Sequence, residues 1–504
     1  LFKILLVSPP FCDFYATGAR NEPLGLLYIR KSLEGMDGVE VHLHDSLLSG
    51  RKKRLKTPSE FDYLEEIYCE DRSLFSLLNG FYRFGDSCGG IIGRIKSGGY
   101  DLVGVSCMFT GYYPDAEKLI SLIKKETGSL VVAGGWAVDA GGTRLFEKSR
   151  ADFFLVGAGE HSMPLLAGAL MGDMKLEDVP GLIYRCGGAV RSVPPAQWAV
   201  PDYFPGRMDF YRWNGKRIAK MITGTGCGHA CPFCAVGRYR KRSARGLDSI
   251  DRELGYLSSA GVEVVDFEDD NIFSDPETAP ALLRILKNHH AGGISYAAMN
   301  GMTASNIRGR VNDIIDAGFI EINLSLVASG LFRARPFGTD VIDEIVREIN
   351  GRVKTIVYLI AGLPGSSPAD LMSDIIHLAA LPVTIGISPL YLLPGIPDLE
   401  KIGLPENHAL CRGSALYKFG DGFSREDVAS AWKFVRMINR VKAGPDGSVE
   451  EYSENLHYFR KSIREKTWHR KLKNGNWARG FSFGIDLPEN IDIMTCDGRM
   501  AGFK

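Results

Sequence analysis

The chain has 504 residues, 45% of them hydrophobic and 24% charged, with sixty Lys and Arg balanced by sixty Asp and Glu. This length and apolar content support two or three domains around a substantial core. The charge balance removes any global field toward nucleic acid or an anionic membrane, although it can hide local patches.

Apolar runs such as LFKILLVSPP and KTIVYLIAGLPG stop at Pro or Gly well short of the roughly 20 residues that cross a bilayer. The first residues lack the three-part pattern of a secretory signal, so a cytoplasmic protein is expected; Leu1 stands where an initiating Met would. Seven of the ten cysteines (Cys12, Cys69, Cys88, Cys107, Cys186, Cys411 and Cys496) are scattered without ligand spacing and read as small buried hydrophobes.

In chain order, KILLVSPP, GLLYIRKSL, VEVHLHD, DLVGVSCM, PDAEKLISLIKKE, SLVVAGGW and DFFLVGAGE alternate short apolar strands with helices, the rhythm of a parallel, doubly wound sheet. From about Ser49 to Gly98 an insertion or lid interrupts it, with the basic run RKKRLK read as a solvated face. GLIYRCGGAVRSVPP reads as a hairpin and the Pro-rich QWAVPDYFPG as a linker.

A second series follows: RIAKMITG, a helix from about Leu247 to Ala260, VEVVDFEDDN, a helix after Pro276, GISYAAMN, VNDIIDAG, IEINLSLVASG, VIDEIVREI, VKTIVYLIAGLPG, DLMSDIIHLAAL and VTIGISPLYLLPG. About six βα units in a row predict a barrel or partial barrel with its chemistry at the C-terminal strand ends. The expected division is 1–204, 205–404 and 405–504. In the last part Trp432, Tyr452, Tyr458, Trp468, Trp477, Phe481 and Phe483 are interleaved with Lys and Arg; burial against the barrel, or closure of a substrate chamber, is expected of them.

Between the first and second units lies GTGCGHACPFCAVG, with Cys227, Cys231 and Cys234 spaced C-x3-C-x2-C. A four-thiolate zinc site would need a second cysteine pair, which is absent; a three-Cys, one-His site with His229 is the alternative. A four-iron cluster on three cysteines leaves one iron open. This spacing, with Phe233 before the last cysteine, resembles the cluster loop of the radical S-adenosylmethionine (SAM) superfamily. The resemblance implies a [4Fe-4S] cluster whose open iron binds SAM and whose electron cleaves it to a 5′-deoxyadenosyl radical. It further implies SAM contacts from Phe233, from Asp269 and Asp270 in FEDDNIF (with Glu268 a further candidate), from Ser325 in NLSLVASG, from Arg335 in ARPFGT and from Gly362 in LIAGLPG. Val327 and Ala328 replace polar residues of the usual acidic form of the fourth-strand motif.

In the N-terminal domain, VGVSCMFTG, VVAGGW and FLVGAGEHS resemble elements of cobalamin-binding domains that precede radical SAM barrels. They make Ser106, Gly134, Gly135, Gly157, Gly159 and Glu160 candidate cobalamin contacts. The first loop, PPFCDFYATGARNEPLG, lacks the Asp-x-His-x-x-Gly sequence, which implies base-off cobalamin without a histidine ligand. His42 and His44 read as packing or surface residues.

The resemblance over about residues 1–400 is to cobalamin-dependent radical SAM enzymes, many of them methyltransferases. It implies methyl transfer from SAM via methylcobalamin to a carbon centre of a small-molecule or peptide substrate, with an external electron donor such as flavodoxin or ferredoxin. Membrane and nucleic-acid partners are not expected. Two alternatives remain: a radical SAM cyclase or oxidoreductase that uses cobalamin differently or not at all, and a cobalamin carrier or sensor with a structural iron–sulfur cluster. No catalytic side chain is assigned at this level.

Overall fold

The computed structural model describes all residues except 16–21, 198, 208, 240, 329–337, 445–448 and 504. The N-terminal sheet has seven strands, and its five parallel ones lie side by side in the order Val39–Asp45, Phe2–Ser8, Leu102–Ser106, Leu130–Gly134 and Phe153–Leu155. The hairpin Leu182–Cys186 and Ala189–Ser192 extends it, with the first of the two antiparallel to Phe153–Leu155.

These strands are apolar throughout because both faces are covered. Ile4 and Leu6 enter one core with Leu26, Leu102 and Leu166, while Leu5 and Val7 enter another with Ile91, Leu119 and Ile123. The chain starts on an inner strand, adds the next on one side, and then crosses to the other. That reversal separates the loops after Ser8 and Ser106, opening the crevice where ligands of such sheets bind.

The interruption is shorter than its sequence implies. Cys88–Gly98 is the crossover helix itself, capped by Ser87 Oγ, which accepts from Gly90 N at 3.2 Å, and anchored by buried Ile91, Ile92 and Ile95. The preceding residues form a three-stranded antiparallel sheet (Phe11–Asp13, Phe81–Phe84, Lys52–Leu55) and a short 3-10 turn at Ser59–Leu64.

Phe61, Leu64, Ile67, Tyr68 and Phe75 of this segment share the core of the barrel and the C-terminal helices. Leu74 N donates to Asn455 Oδ1 at 3.0 Å, and Lys433 Nζ pairs with Asp71 at 3.0 Å, both side chains almost wholly buried. The segment is therefore a strap between the two ends of the chain rather than a mobile lid.

The barrel strands are Lys216–Met221, Val264–Phe267, Ser295–Ala297, Glu321–Val327, Lys354–Ala361 and Thr384–Pro389. All pair in parallel, the third and fourth joining only through the bridges Tyr296 to Phe319 and Met302 to Leu324. The rings of Phe267, Tyr296 and Phe319 stack beneath that weak seam, with centroids 5.6–6.1 Å apart.

The sixth strand would present an open edge. Asn439 covers part of it, accepting from Ile385 N at 2.9 Å and donating to Ile385 O at 2.8 Å. It lies on the helix Arg425–Ala443, which opens with a Ser424/Asp427 capping box. Trp432, Trp468, Phe481 and Phe483 are buried in the same core, and Tyr458 stacks on Trp477 at 4.1 Å.

Among the scattered cysteines, Cys107 and Cys411 are buried as expected, but Cys186 and Cys496 are exposed. Cys186 ends the strand Leu182–Cys186, directly before the chain turns at Gly187 and Gly188. Among the described residues no helix is long and apolar enough to cross a membrane.

Candidate active site

The first barrel strand ends at Met221, and the chain then folds back on itself, Gly224–Thr225 pairing with Ser243–Ala244. Buried Arg245 secures this hairpin by donating to Ile222 O at 2.9 Å and to Glu253 Oε2 at 2.6 Å. Within the loop thus held, Cys227, Cys231 and Cys234 are all half-buried and unlinked. Cys234 N donates to Cys231 O at 3.1 Å, and Asn271 Nδ2 approaches Cys227 Sγ at 3.5 Å.

Burial, and then the neighbouring Cys234 and Cys227, push the Cys231 thiol up to about 11. Burial also raises Cys234, with smaller contributions from Cys227 and Asp270. Three thiolates here therefore need positive charge beside them, which an iron–sulfur cluster supplies. Among the described residues no three His, Cys, Asp or Glu side chains converge on one point as a single metal ion requires. A cluster spreads its ligands over separate irons, so this donor set fits it better than zinc.

The second strand delivers FEDDN to the same mouth. Asp269 is buried and accepts from Thr223 N at 3.1 and 3.0 Å and from Thr223 Oγ1 at 2.5 Å, so it staples the ends of the first two strands. Burial pushes its carboxyl up to about 7, against the pull of the Thr223 hydrogen bonds. Asp270 accepts from Gly226 N at 2.7 Å, directly before Cys227. Glu268 pairs with Lys220 Nζ and accepts from Asn300 Nδ2 at 2.9 Å.

Phe233 packs against the apolar cluster of Val327, Ala328, Leu363, Leu390 and Leu392 at the ends of the fourth to sixth strands. Val327 and Ala328 thus work as packing residues. Ser325 sits at the bulge of the fourth strand, and Val327 beyond it has φ +67°, a costly conformation for a β-branched residue. Gly362 has φ +88°, and a side chain there would run into the ring of Phe419. That neighbour by itself accounts for the glycine. Arg335 lies outside the described residues.

Between this mouth and the N-terminal sheet lies a cavity of about 440 Å³. Ser106, Gly134, Gly135, Gly157, Gly159 and Glu160 all line it from the sheet side; Lys220, Thr225, Glu268, Asp270 and Asn300 line it from the barrel side. The loops at the sheet's crevice contribute Pro9, Phe11, Met108 and Phe109, the last two well exposed to it. Gly135 has φ +114° and ψ 177°, and a Cβ there would stand 2.8 Å from Cys107 O.

The buried Thr225 hydroxyl on this wall has no hydrogen-bond partner. A glycine-lined cleft with an orphaned hydroxyl opposite suits a large ligand rich in amides, such as a corrin. Among the described lining residues Lys220 is the sole cation, against Glu22, Asp139, Glu160, Glu268 and Asp270, and none is His. The carboxylates on the barrel side, Glu268 and Asp270, suit a ligand with a cationic end, such as the ammonium and sulfonium of SAM.

Sequence reasoning did not single out Lys220, Glu22, Thr225 or Asn300. Lys220 had a signal, a charge flanked on both sides by apolar residues in IAKMI. Glu22 had none, since its value comes from partners across the domain boundary: Arg207 Nε at 2.6 Å and Lys220 N at 2.5 Å.

Two family descriptions match this chain, the Radical SAM superfamily over residues 221–377 and the B12 binding domain over residues 87–167. A B12-binding domain followed by a radical SAM domain is thus matched in the order the sequence predicts. The radical SAM domain implies a [4Fe-4S] cluster and SAM, and the B12 domain implies cobalamin.

Cytidylyl-2-hydroxyethylphosphonate methyltransferase of Streptomyces wedmorensis is 24% identical over 380 residues, 66% of each chain. An uncharacterized methyltransferase of Pyrococcus horikoshii is 27% identical over 189 residues, 35% of this chain and 41% of that one. The aligned regions therefore fall short of two thirds of either relative.

Among solved structures, the radical SAM methyltransferase TsrM of Kitasatospora setae, with cobalamin and a [4Fe-4S] cluster bound, superposes with a TM-score of 0.64 at 17% identity. It covers 92% of this chain and 99% of that one. The cobalamin-dependent SAM radical enzyme OxsB, with aqua-cobalamin and SAM bound, gives 0.58 at 13% identity, over 92% and 71%. At such identities the likeness is one of fold: a B12-binding domain ahead of a radical SAM barrel.

Proposed function

We propose that this protein is a cobalamin-dependent methyltransferase that moves a methyl group from SAM to a carbon centre of a small molecule, using a 5′-deoxyadenosyl radical to open that centre. The observation that carries this reading is the single cavity lined by the glycine-bearing strand ends of one domain and the acidic mouth of the other. Its relatives named as methyltransferases support the reaction type, and the tryptophan held by TsrM in a related structure supports a small substrate. The division 1–204, 205–404 and 405–504 is retained as part of the proposal.

When bound, cobalamin supplies a cobalt that can carry a methyl group and the cluster supplies the electron that cleaves SAM. The residues of the chain then have separate tasks. Cys227, Cys231 and Cys234 ligate the cluster. Asp270 and Glu268 face the cationic end of SAM, with Phe233 packing nearby and Ser325 close to the ribose. Asp269 is a positioning residue that holds the first two strand ends together. Lys220 orients Glu268 through their ion pair. Ser106 and Glu160 bind polar groups of cobalamin, while the glycines let its tail lie on the sheet. Closure of the two domains excludes water from the radical.

The test is reconstituted protein given SAM with a labelled methyl group and a reductant, with candidate small molecules. Label in a carbon of the product together with 5′-deoxyadenosine is expected. Turnover with 5′-deoxyadenosine but no transferred label would overturn methylation in favour of cyclisation or oxidation.

A further inference from the structure

The reaction proposed above needs one electron from outside the chain, and the chain's own charges show where its carrier docks. Residues 235–246 hold five cations (Arg238, Arg240, Lys241, Arg242 and Arg245) and no carboxylate, in a chain whose total charge is zero. Arg245 is buried and paired with Glu253, and Arg240 lies outside the described residues. Arg238 and Lys241 are exposed, and Arg242 is 43% exposed and 3.6 Å from Asp275.

This segment begins directly after Cys234 and returns as the second strand of the hairpin that holds the cluster loop. Its backbone lies so close to the loop that a Cβ on Gly226, next to Cys227, would stand 2.6 Å from Lys241 O and 2.7 Å from Arg242 N. None of Arg238, Lys241 and Arg242 lines the large cavity. Thr225, just ahead of the cluster loop, lines that cavity, while Arg238, Lys241 and Arg242 after it are presented to solvent.

We propose that Arg238, Lys241 and Arg242 form the docking surface for an acidic, low-potential one-electron carrier protein with a flavin or iron–sulfur centre. The inference rests on the functional reading above. In the step, the reduced carrier loses one electron and the [4Fe-4S]2+ cluster gains it to become [4Fe-4S]+, with no bond made or broken. With no net charge to steer encounter from afar, a local patch beside the acceptor must set both the rate and the orientation.

The test compares full-length reconstituted wild type with Arg238→Glu/Lys241→Glu and, as a control, with Lys53→Glu/Lys56→Glu in the other basic run. Binding of oxidised flavodoxin is measured at low and high ionic strength, and cluster reduction by flavodoxin hydroquinone is followed by stopped flow. The first variant is expected to bind and accept electrons roughly tenfold more weakly at low salt, with dithionite reducing all three proteins alike. Wild-type affinity should fall as salt rises. Equal flavodoxin binding and reduction in wild type and the first variant would overturn the surface, as would an equal loss in the control. SAM cleavage after dithionite reduction is read in the same samples, so failure of the radical reaction itself is seen separately.

Discussion

Gly135 is the position at which a single methyl group tests the cobalamin side of the cavity. Its φ of +114° with ψ 177° falls in a region that costs any other residue about 1–3 kcal/mol. A Cβ would also meet Cys107 O at 2.8 Å and Cys107 C at 3.0 Å, backbone atoms that move only with their strand. Overpacking of this kind adds about 1–3 kcal/mol, and the stiffer unfolded chain returns about 0.4–1 kcal/mol. The net for Gly135→Ala is a local destabilisation of about 1–5.6 kcal/mol, or roughly 5- to 10,000-fold in the opening equilibrium at 1.4 kcal/mol per tenfold.

Because a chain of this length need not unfold in one step, hydrogen exchange over residues 102–140 is the suitable assay, with cobalamin retention measured alongside. Gly128→Ala is the control, since nothing lies within 4 Å of its Cβ. Exchange in Gly135→Ala within threefold of wild type would refute the reasoning.

Asp71→Ala leaves Lys433 buried without its partner and is expected to cost about 3–5 kcal/mol, seen as faster proteolysis of the strap at 49–86. Asp71→Leu/Lys433→Met should recover most of that loss, and no recovery would argue against the ion pair as the cause. The Asp269 carboxyl is raised to about 7 from an unfolded value near 4. Its stabilising contribution is therefore complete below pH ~4 and lost as pH rises through ~7. Wild type should lose stability relative to Asp269→Asn by up to about 1.4 kcal/mol per pH unit across that window; urea midpoints that keep a constant gap from pH 4.5 to 7.5 would exclude this. Cys231→Ala should lose reconstituted iron, its visible absorbance and 5′-deoxyadenosine formation together, and retention of a full complement of iron would exclude Cys231 as a ligand.

Much of the fold was legible because burial on both faces leaves a local trace. The runs KILLVS, LVGVS and LVVAG are continuous only where helices cover both sides of a sheet. The attachment of the strap was not legible because its partners are remote. Phe75 reaches Phe459 and Trp468, at 5.4 and 5.5 Å, and nothing near Phe75 in sequence announces either. Gly362 likewise has a tight neighbour, Phe419, that no local pattern announces.

The sequence alone determined the cluster loop, since three cysteines within eight residues need no tertiary help to become neighbours, and it determined the order of βα units through their periodicity. Tertiary structure decided which strand ends meet across the cavity. Ser106, Gly135 and Gly157 come from three strand ends or the loops after them, and Lys220, Asp270 and Asn300 from three others. Their meeting depends on sheet reversal, barrel curvature and the buried Glu22–Arg207 contact between domains. Those are sums of many long-range contacts, and no short window of sequence contains them.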